Sequence, residues 1–242
     1  EQRVRERTAE LQAANEALEA FSYSVSHDLR SPLTAITGFA SLALHDLSAQ
    51  PRADLREHLE SIGSETGRMR RLIDDLLRFS AATRAELKIT TVDLGALARE
   101  SVDLQRRQQP DRAVDVQLAS DLLARGDPGL LAVVMTNLIG NAWKYSARST
   151  NARIEVGRHA RGDTHDTFFV RDNGAGFDMD LAGELFTPFK RLHSAKEFPG
   201  TGVGLATVRR IIERHGGTIR AEAAPGRGAT FLFTLPALRV DS

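Results

Sequence analysis

Residues 54–82 place Leu55, Leu59, Ile62, Met69, Leu72, Ile73, Leu76 and Phe79 at helical intervals. That spacing gathers them on one side of an α-helix and would scatter them over both faces of a strand. An earlier stretch repeats the device, with Val25, Leu29 and Leu33 every four residues. Between them, Leu47 to Ala53 (LSAQPRA) has the composition of a turn. The expected structure is a first helix running to about Asp46 and a second from about Asp54 to Ala82, packed as an antiparallel hairpin. One hairpin cannot cover two apolar stripes. A second copy is the simplest cover, so the expectation is a homodimer closed as a four-helix bundle.

Residues 1–20, EQRVRERTAELQAANEALEA, contain neither Pro nor Gly, and Val4, Leu11, Leu18 and Val25 stand seven apart. This heptad-like seam is expected to form a coiled coil leading into the hairpin at residue 21, with a plain amphipathic helix as the alternative. The pattern starts at Glu1 in mid-helix, so the expectation is a portion of a longer protein whose upstream sensor domain feeds this coiled coil. The hairpin is placed at residues 21–83, a polar linker at 84–92 and a second domain at 93–238.

Within the first helix, FSYSVSHDLRSPL sets His27 beside Asp28, followed by Arg30, Ser31 and Pro32. His27 lies about 160° around a helix from both Val25 and Leu29 and is expected to face solvent. Pro32 has no N–H, so the carbonyl of Asp28 loses its helical partner and a bend is expected just after the histidine. An exposed histidine on a helix is more often bland than reactive. The second half of the chain changes that balance.

There, helical and strand patterns interleave. Helices are expected near Asp93–Arg107, Pro128–Ser146 and Thr201–His215. Strands are expected near Ala113–Ala119, Ala152–Arg158, Thr167–Arg171, Gly217–Ala223 and Ala229–Leu235. The whole is an α+β chain whose second domain is an α/β sandwich, with helices on one face of a mixed sheet.

Four pieces of this domain carry chemistry. In NLIGNAWKYS, Asn137, Asn141 and Lys144 recur at helical spacing. Amide oxygens suit Mg²⁺, which takes few protein ligands alongside phosphates, and a lysine one turn on can hold a phosphate. A polar surface stripe is the plainer reading of that piece alone. In DNGAG, Asp172 precedes Gly174 and Gly176 after an apolar strand. The glycines allow backbone to approach a flat ligand, and the carboxylate can accept from an adenine amino group. In GTGVGL, Gly200, Thr201, Gly202, Gly204 and Leu205 open a helix, where free N–H groups favour phosphate. It fits neither a Walker A loop nor a dinucleotide fingerprint. Last, LFTPFKRLH followed by SAKEF reads as a mobile lid tipped with aromatics.

Composition narrows the partners. Lys plus Arg equals Asp plus Glu at 32 each, which gives no global drive toward nucleic acid. Cysteine is absent, removing disulfides and thiolate chemistry and fitting a cytoplasmic location. No apolar run reaches the roughly 18 residues of a membrane span.

Together and in order, these pieces resemble the catalytic core of the sensor histidine kinases of two-component systems. SHDLRSPL is similar to the family's H-box, NLIGNAWKYS to its N-box, DNGAGF to its first glycine box, LFTPFKRLH to its F-box and GTGVGLATVRRIIERHGG to its second glycine box. FSYSVSHDLR and PFKRLH are similar to kinases that follow phytochrome or PAS-type sensors. The resemblance implies a Bergerat-fold ATP-binding domain of the gyrase, chaperone, kinase and MutL superfamily, tethered to a dimerisation and phosphotransfer bundle. It implies His27 as phosphoacceptor, with Asp28 orienting its ring. Asn141 would hold Mg²⁺ with Asn137 assisting, and Lys144 and Arg191 would meet phosphates. Tyr145 would lie against adenine and Asp172 bind its amino group. Gly174 and Gly176 would shape that pocket, with Thr230 a further adenine contact. Gly200, Thr201, Gly202, Gly204 and Leu205 would close lid and helix start on the phosphates.

The resemblance also implies onward transfer from phosphohistidine to an aspartate of a response-regulator receiver domain. ATPase relatives carry a water-activating glutamate near the Asn137 position. An amide is a poor base, which favours transfer to histidine over hydrolysis. Ser31 departs from the threonine or asparagine of phosphatase-competent members, though its hydroxyl can still position water. The competing readings are an ATP-binding signalling scaffold with weak catalysis and a free-standing ATPase of the gyrase kind.

Overall fold

The computed structural model describes residue 29 and residues 32–43, 52–84, 86–194, 197–198 and 200–238. His27, Asp28, Ser31, the heptad seam of residues 1–20 and most of the turn at 47–53 lie outside the described residues. The chain divides into two compact units with the boundary between Leu77 and Arg78.

In the first unit, α1 (residues 32–43) and α2 (Arg52–Arg84) are the two helices that the stripes require. The Phe39 ring of α1 stacks on the His58 imidazole of α2, with centroids 6.0 Å apart, and Ala43 and Leu72 are buried. Other large apolar side chains of the unit are not covered: Leu33, Leu42, Leu59, Ile73 and Leu77 are 42–63% exposed.

The second unit holds β1 (Thr90–Asp93), α3 (Leu94–Gln108), β2 (Asp115–Leu118), β3 (Leu123–Gly126) and α4 (Pro128–Tyr145). It continues through β4 (Arg153–Ala160), β5 (His165–Asp172), α5 (Gly204–Arg214), β6 (Ile219–Ala223) and β7 (Ala229–Pro236). The five-stranded sheet has the order β2-β4-β5-β7-β6; β2 runs parallel to β4, and the other neighbours are antiparallel. A two-stranded ribbon pairs β1 with β3. The helices share one core with alternate residues of the sheet: Ala98 and Val102 of α3, Leu138 and Ile139 of α4, and Val208 and Ile211 of α5 meet Phe168, Val170, Phe231 and Phe233. The other parity, including Glu155, Arg171, Thr230 and Glu222, occupies the opposite face in register.

Two elements differ from the expectation. Residues 90–92 stand in the stretch read as polar linker, yet they begin β1, and β3 was not foreseen. Each is four residues long, and TTVD and LARG have too little apolar alternation to announce a strand. Pairing and capping stabilise them instead: Asp93 ends β1 and caps α3 by accepting the N–H of Ala96 at 3.0 Å. Asp127 caps α4 in the same way, with Pro128 in the first turn. No helix among the described residues is long and apolar enough to cross a membrane.

Candidate nucleotide site

Helix α4 builds one wall. Leu131, Val134, Met135, Leu138, Ile139, Ala142 and Trp143 turn into the core, which rotates Asn137, Asn141, Lys144 and Tyr145 to a half-buried side. The Asn137 amide donates to the carbonyl of Val133 at 2.8 Å, leaving its oxygen toward the start of α5. A Cβ on Gly204 would stand 2.4 Å from that oxygen and would push the Asn137 amide aside. Asn141 makes no side-chain hydrogen bond with the described residues. These are two amides, one oriented and one open, on one helix face. No group of three or more His, Cys, Asp or Glu suited to a metal occurs among the described residues. The donor set therefore fits a hard cation shared with ligand phosphates and does not fit a cation held by protein alone.

The end of β5 builds the second wall. Asp172 is 5% exposed, and its Oδ1 accepts the N–H of Gly174 at 2.8 Å. Burial pushes this carboxyl up to about 6, against the opposing pull of the N–H groups of Gly174 and Ala229. The loop then locks onto the last turn of α4, where Ala175 N–H donates to the Tyr145 carbonyl at 3.1 Å. A Cβ on Gly174 would lie 2.5 Å from that carbonyl oxygen and 2.8 Å from Asp172 Oδ1. Gly176 follows with φ at 60°. A buried acceptor beside a loop that presents bare backbone at Gly174 and Gly176 fits a flat, amino-bearing heterocycle.

The third wall comes from the described residues between 185 and 203. Lys144 Nζ sits 4.2 Å from the Tyr145 ring centroid, and Gly200 packs against it. Burial, with the nearby Arg191 charge adding to it, lowers the Lys144 ammonium to about 8. Burial also raises the Tyr145 phenol. Arg191 donates to the carbonyl of Phe198. Phe189 has φ at 66°, strained for an aromatic residue, and its N–H donates to the carbonyl of Gly202, itself at φ 79°. Thr201 Oγ1 accepts weakly from the N–H of Val203 at 3.5 Å, and Leu205 packs against the core.

Of the described residues expected here, Asn137, Asn141, Lys144, Tyr145, Asp172, Gly174, Gly176, Arg191, Gly200 and Gly204 are brought to these three walls. Thr230 is not: it stands opposite Arg171 in register, accepts from the Arg171 guanidinium at 3.1 Å, and lies on the other sheet face from Asp172. The residue opposite Asp172 is Ala229. Two site residues were missed, His193 and Phe198. With Tyr145 they form an aromatic triangle with centroids 4.9–5.2 Å apart, and His193 Nε2 lies 2.9 Å from the Gly176 carbonyl. Both stand in the aromatic-tipped lid segment, which was the available signal.

Comparison with known proteins agrees with this geometry. The family described as "Histidine kinase-, DNA gyrase B-, and HSP90-like ATPase" matches residues 126–239, and "His Kinase A (phospho-acceptor) domain" matches residues 17–84. The methanogenesis regulatory histidine kinase FilI of Methanothrix harundinacea is 38% identical over 234 residues, covering 96% of this chain and 26% of FilI. Cyanobacterial phytochrome B of Nostoc sp. is 36% identical over 228 residues, covering 93% of this chain and 30% of that protein. The chain thus spans about a third or less of these relatives. Among solved structures, histidine kinase ThkA in complex with response regulator TrrA superposes with a TM-score of 0.71 at 24% identity, covering 93% of this chain and 63% of ThkA.

Proposed function

We infer, for a chain that belongs to the sensor histidine kinases and carries their ATPase and phosphoacceptor domains, that it is an ATP-dependent autokinase acting on His27. The observation that supports this is one side of α4 that sets Asn137 against Gly204, Lys144 beside Gly200 and the Tyr145 carbonyl on the loop following Asp172. The Asp172 carboxylate accepts from the adenine amino group, and Tyr145 lies along the ring. Lys144, still mostly protonated near neutral pH, holds a phosphate. Asn141, with Asn137 beside it, holds Mg²⁺. That ion supplies charge neutralisation on the phosphates when bound.

The transfer balances without a further reactant. The distal ring nitrogen of His27 gives its lone pair to the γ-phosphorus, the bond to the bridging oxygen breaks, and ADP leaves with that electron pair. Asp28 stabilises the charge on the ring. Such transfer needs positioning and electrostatics more than covalent help from the protein. The phosphoryl group then passes to an aspartate of a response-regulator receiver, the kind of partner seen in the ThkA complex. Ser31 can position water to hydrolyse the receiver's aspartyl phosphate, which releases inorganic phosphate and restores the carboxylate. The exposed Leu33, Leu42, Leu59, Ile73 and Leu77 support closure of the hairpin by a second copy, and the upstream input comes from a sensor domain. This portion acts in the cytoplasm.

The test is incubation of the purified chain with γ-labelled ATP and Mg²⁺ beside a His27→Ala variant. Acid-labile, alkali-stable label on the wild type alone is the expected result. Release of labelled phosphate with no protein-bound label would overturn the autokinase reading in favour of an ATPase. Nucleotide binding with neither product would favour a scaffold.

A further inference from the structure

Behind the nucleotide site, on the same unit, lies a separate open cleft of about 1020 Å³. Four arginines line it, Arg106 and Arg107 from the end of α3, Arg112 from the following loop and Arg153 from β4, against one carboxylate, Asp115. That carboxylate is already engaged, accepting from Arg153 Nε at 2.9 Å and from Gln117 at 3.4 Å. Arg106 has only a long contact to Asp103 at 3.9 Å. Among the described residues no carboxylate pairs with Arg107 or Arg112. Arg112 instead donates to three neutral acceptors, the Trp143 carbonyl at 2.6 Å, Ser146 Oγ at 3.0 Å and Gln109 Oε1 at 3.3 Å. Burial accordingly lowers this guanidinium from its ordinary value.

The cleft is therefore a concavity of ligand size carrying an excess of cationic forks over anions. Surface arginines usually find carboxylates in a chain whose 32 basic and 32 acidic residues balance; here Arg153 is paired with Asp115 and Glu155, Arg106 only loosely with Asp103, and Arg107 and Arg112 with none among the described residues. Guanidinium forks match phosphate oxygens two at a time, and several forks facing one cavity call for a ligand with several charges. Thr150 and Asn151 add polar groups to the lining, and Pro110, Val114 and Ala152 add apolar surface. We propose that this cleft binds a small polyphosphate or phosphate-ester anion at a second site distinct from the nucleotide pocket.

The two sites share walls. Arg112 grips the carbonyl of Trp143, next to Lys144, and Asn173, which follows Asp172, lines the cleft. The nucleotide pocket must therefore be filled when the cleft is tested.

The experiment is calorimetric titration of the whole chain with tripolyphosphate in the presence of saturating ADP. The expected result is one site per chain whose affinity falls as salt is raised, as for any ligand held by arginines. An Arg106→Gln/Arg107→Gln double variant, altered only at exposed side chains, is expected to bind it at least about tenfold more weakly. Its ADP affinity stays unchanged, showing that the fold is intact. Lys144→Gln, which damages only the nucleotide pocket, leaves tripolyphosphate binding in place. No heat from the wild type, or binding lost in Lys144→Gln and kept in the double variant, would overturn the proposal. Binding of poly-glutamate in preference to tripolyphosphate would also overturn it, marking a protein-docking surface instead.

Discussion

Asp172 Oδ1 accepts the Gly174 N–H at 2.8 Å while only 5% of the residue remains exposed. Burial dominates, and the carboxyl sits at about 6 against an ordinary 3.8. A group whose folded value is raised in this way costs stability once it ionises. The cost is absent below 3.8, grows as pH rises toward 6 and is complete above it, reaching roughly 3 kcal/mol at most. Asp172→Asn is therefore expected to raise the melting temperature at pH 7.5 and to give little gain at pH 4. The same variant is expected to lose ADP binding, because the ionised carboxylate is the acceptor proposed for the amino group. Wild-type affinity for ADP should rise through pH 6, and the variant's profile should lack that step. A variant that melts no higher at pH 7.5 would mean the carboxylate is better satisfied than its burial implies.

Gly174 has no room for a methyl group unless its neighbours shift. Its Cβ would meet the Tyr145 carbonyl at 2.5 Å and Asp172 Oδ1 at 2.8 Å, both fixed by hydrogen bonds. Gly174→Ala is expected to lower ADP affinity by at least about tenfold and to destabilise the domain by about 1–3 kcal/mol. Gly226→Ala is the matched control. Unlike Gly174 it has a positive φ, 73°, but nothing lies within 4 Å of its Cβ, so it isolates backbone strain from crowding. It should lose only about 1–2 kcal/mol of backbone strain energy and keep its ADP affinity. Equal losses of affinity would locate the effect in general destabilisation rather than in the pocket.

Asp127 joins three segments. Oδ1 accepts Leu130 N–H at 3.0 Å, Oδ2 accepts Lys88 N–H at 3.0 Å, and its own N–H donates to His215 Nε2 at 2.9 Å. His215 Nδ1 faces the Ile211 carbonyl at 2.7 Å, which holds the ring against Asp127. Desolvation would raise the Asp127 carboxyl, but the N–H groups of Leu130, Lys88 and Gly129, together with His215, hold it below its ordinary value. Its contribution is thus present above 3.8 and lost as pH falls through the lower folded value. Asp127→Ala is expected to cost about 1–2 kcal/mol in urea titrations at pH 7, the worth of a helix cap, with the difference from wild type shrinking below about pH 4.

Much of this was legible in the chain, and what was not has physical causes. Asn137, Asn141 and Lys144 lie on α4 where their spacing puts them, because a helix of 18 residues with one apolar side has a single way to face its core. Thr230 could not be placed from sequence. In ATFLFTLP, Phe231, Leu232 and Phe233 are consecutive and all buried, so the run lacks the alternation that would tell which parity faces Asp172. Only the pairing of Asp172 with Ala229 decides it. Phe198 was missed for another reason. It packs on Tyr145 of α4 and on His193 of its own lid segment, and a contact made by loop closure leaves no periodic trace.

Lys144 supplies the sharpest test of how the pocket meets phosphate. Burial first, and the Arg191 charge second, bring its ammonium to about 8 from 10.5. The charged form is penalised in the free protein; that cost is full below 8 and relieved as pH rises from 8 toward 10.5. A bound polyphosphate reverses the local field and favours the charged form. At pH 8.5, ADP binding should therefore take up a substantial fraction of a proton, read as the dependence of binding heat on buffer ionisation enthalpy. Lys144→Gln should abolish that uptake and weaken binding. Arg191→Gln removes the second cause and raises the free lysine toward its ordinary value, so the uptake should shrink without vanishing. Uptake that persists undiminished in Lys144→Gln would mean another group meets the phosphates, and the assignment of Lys144 would fall.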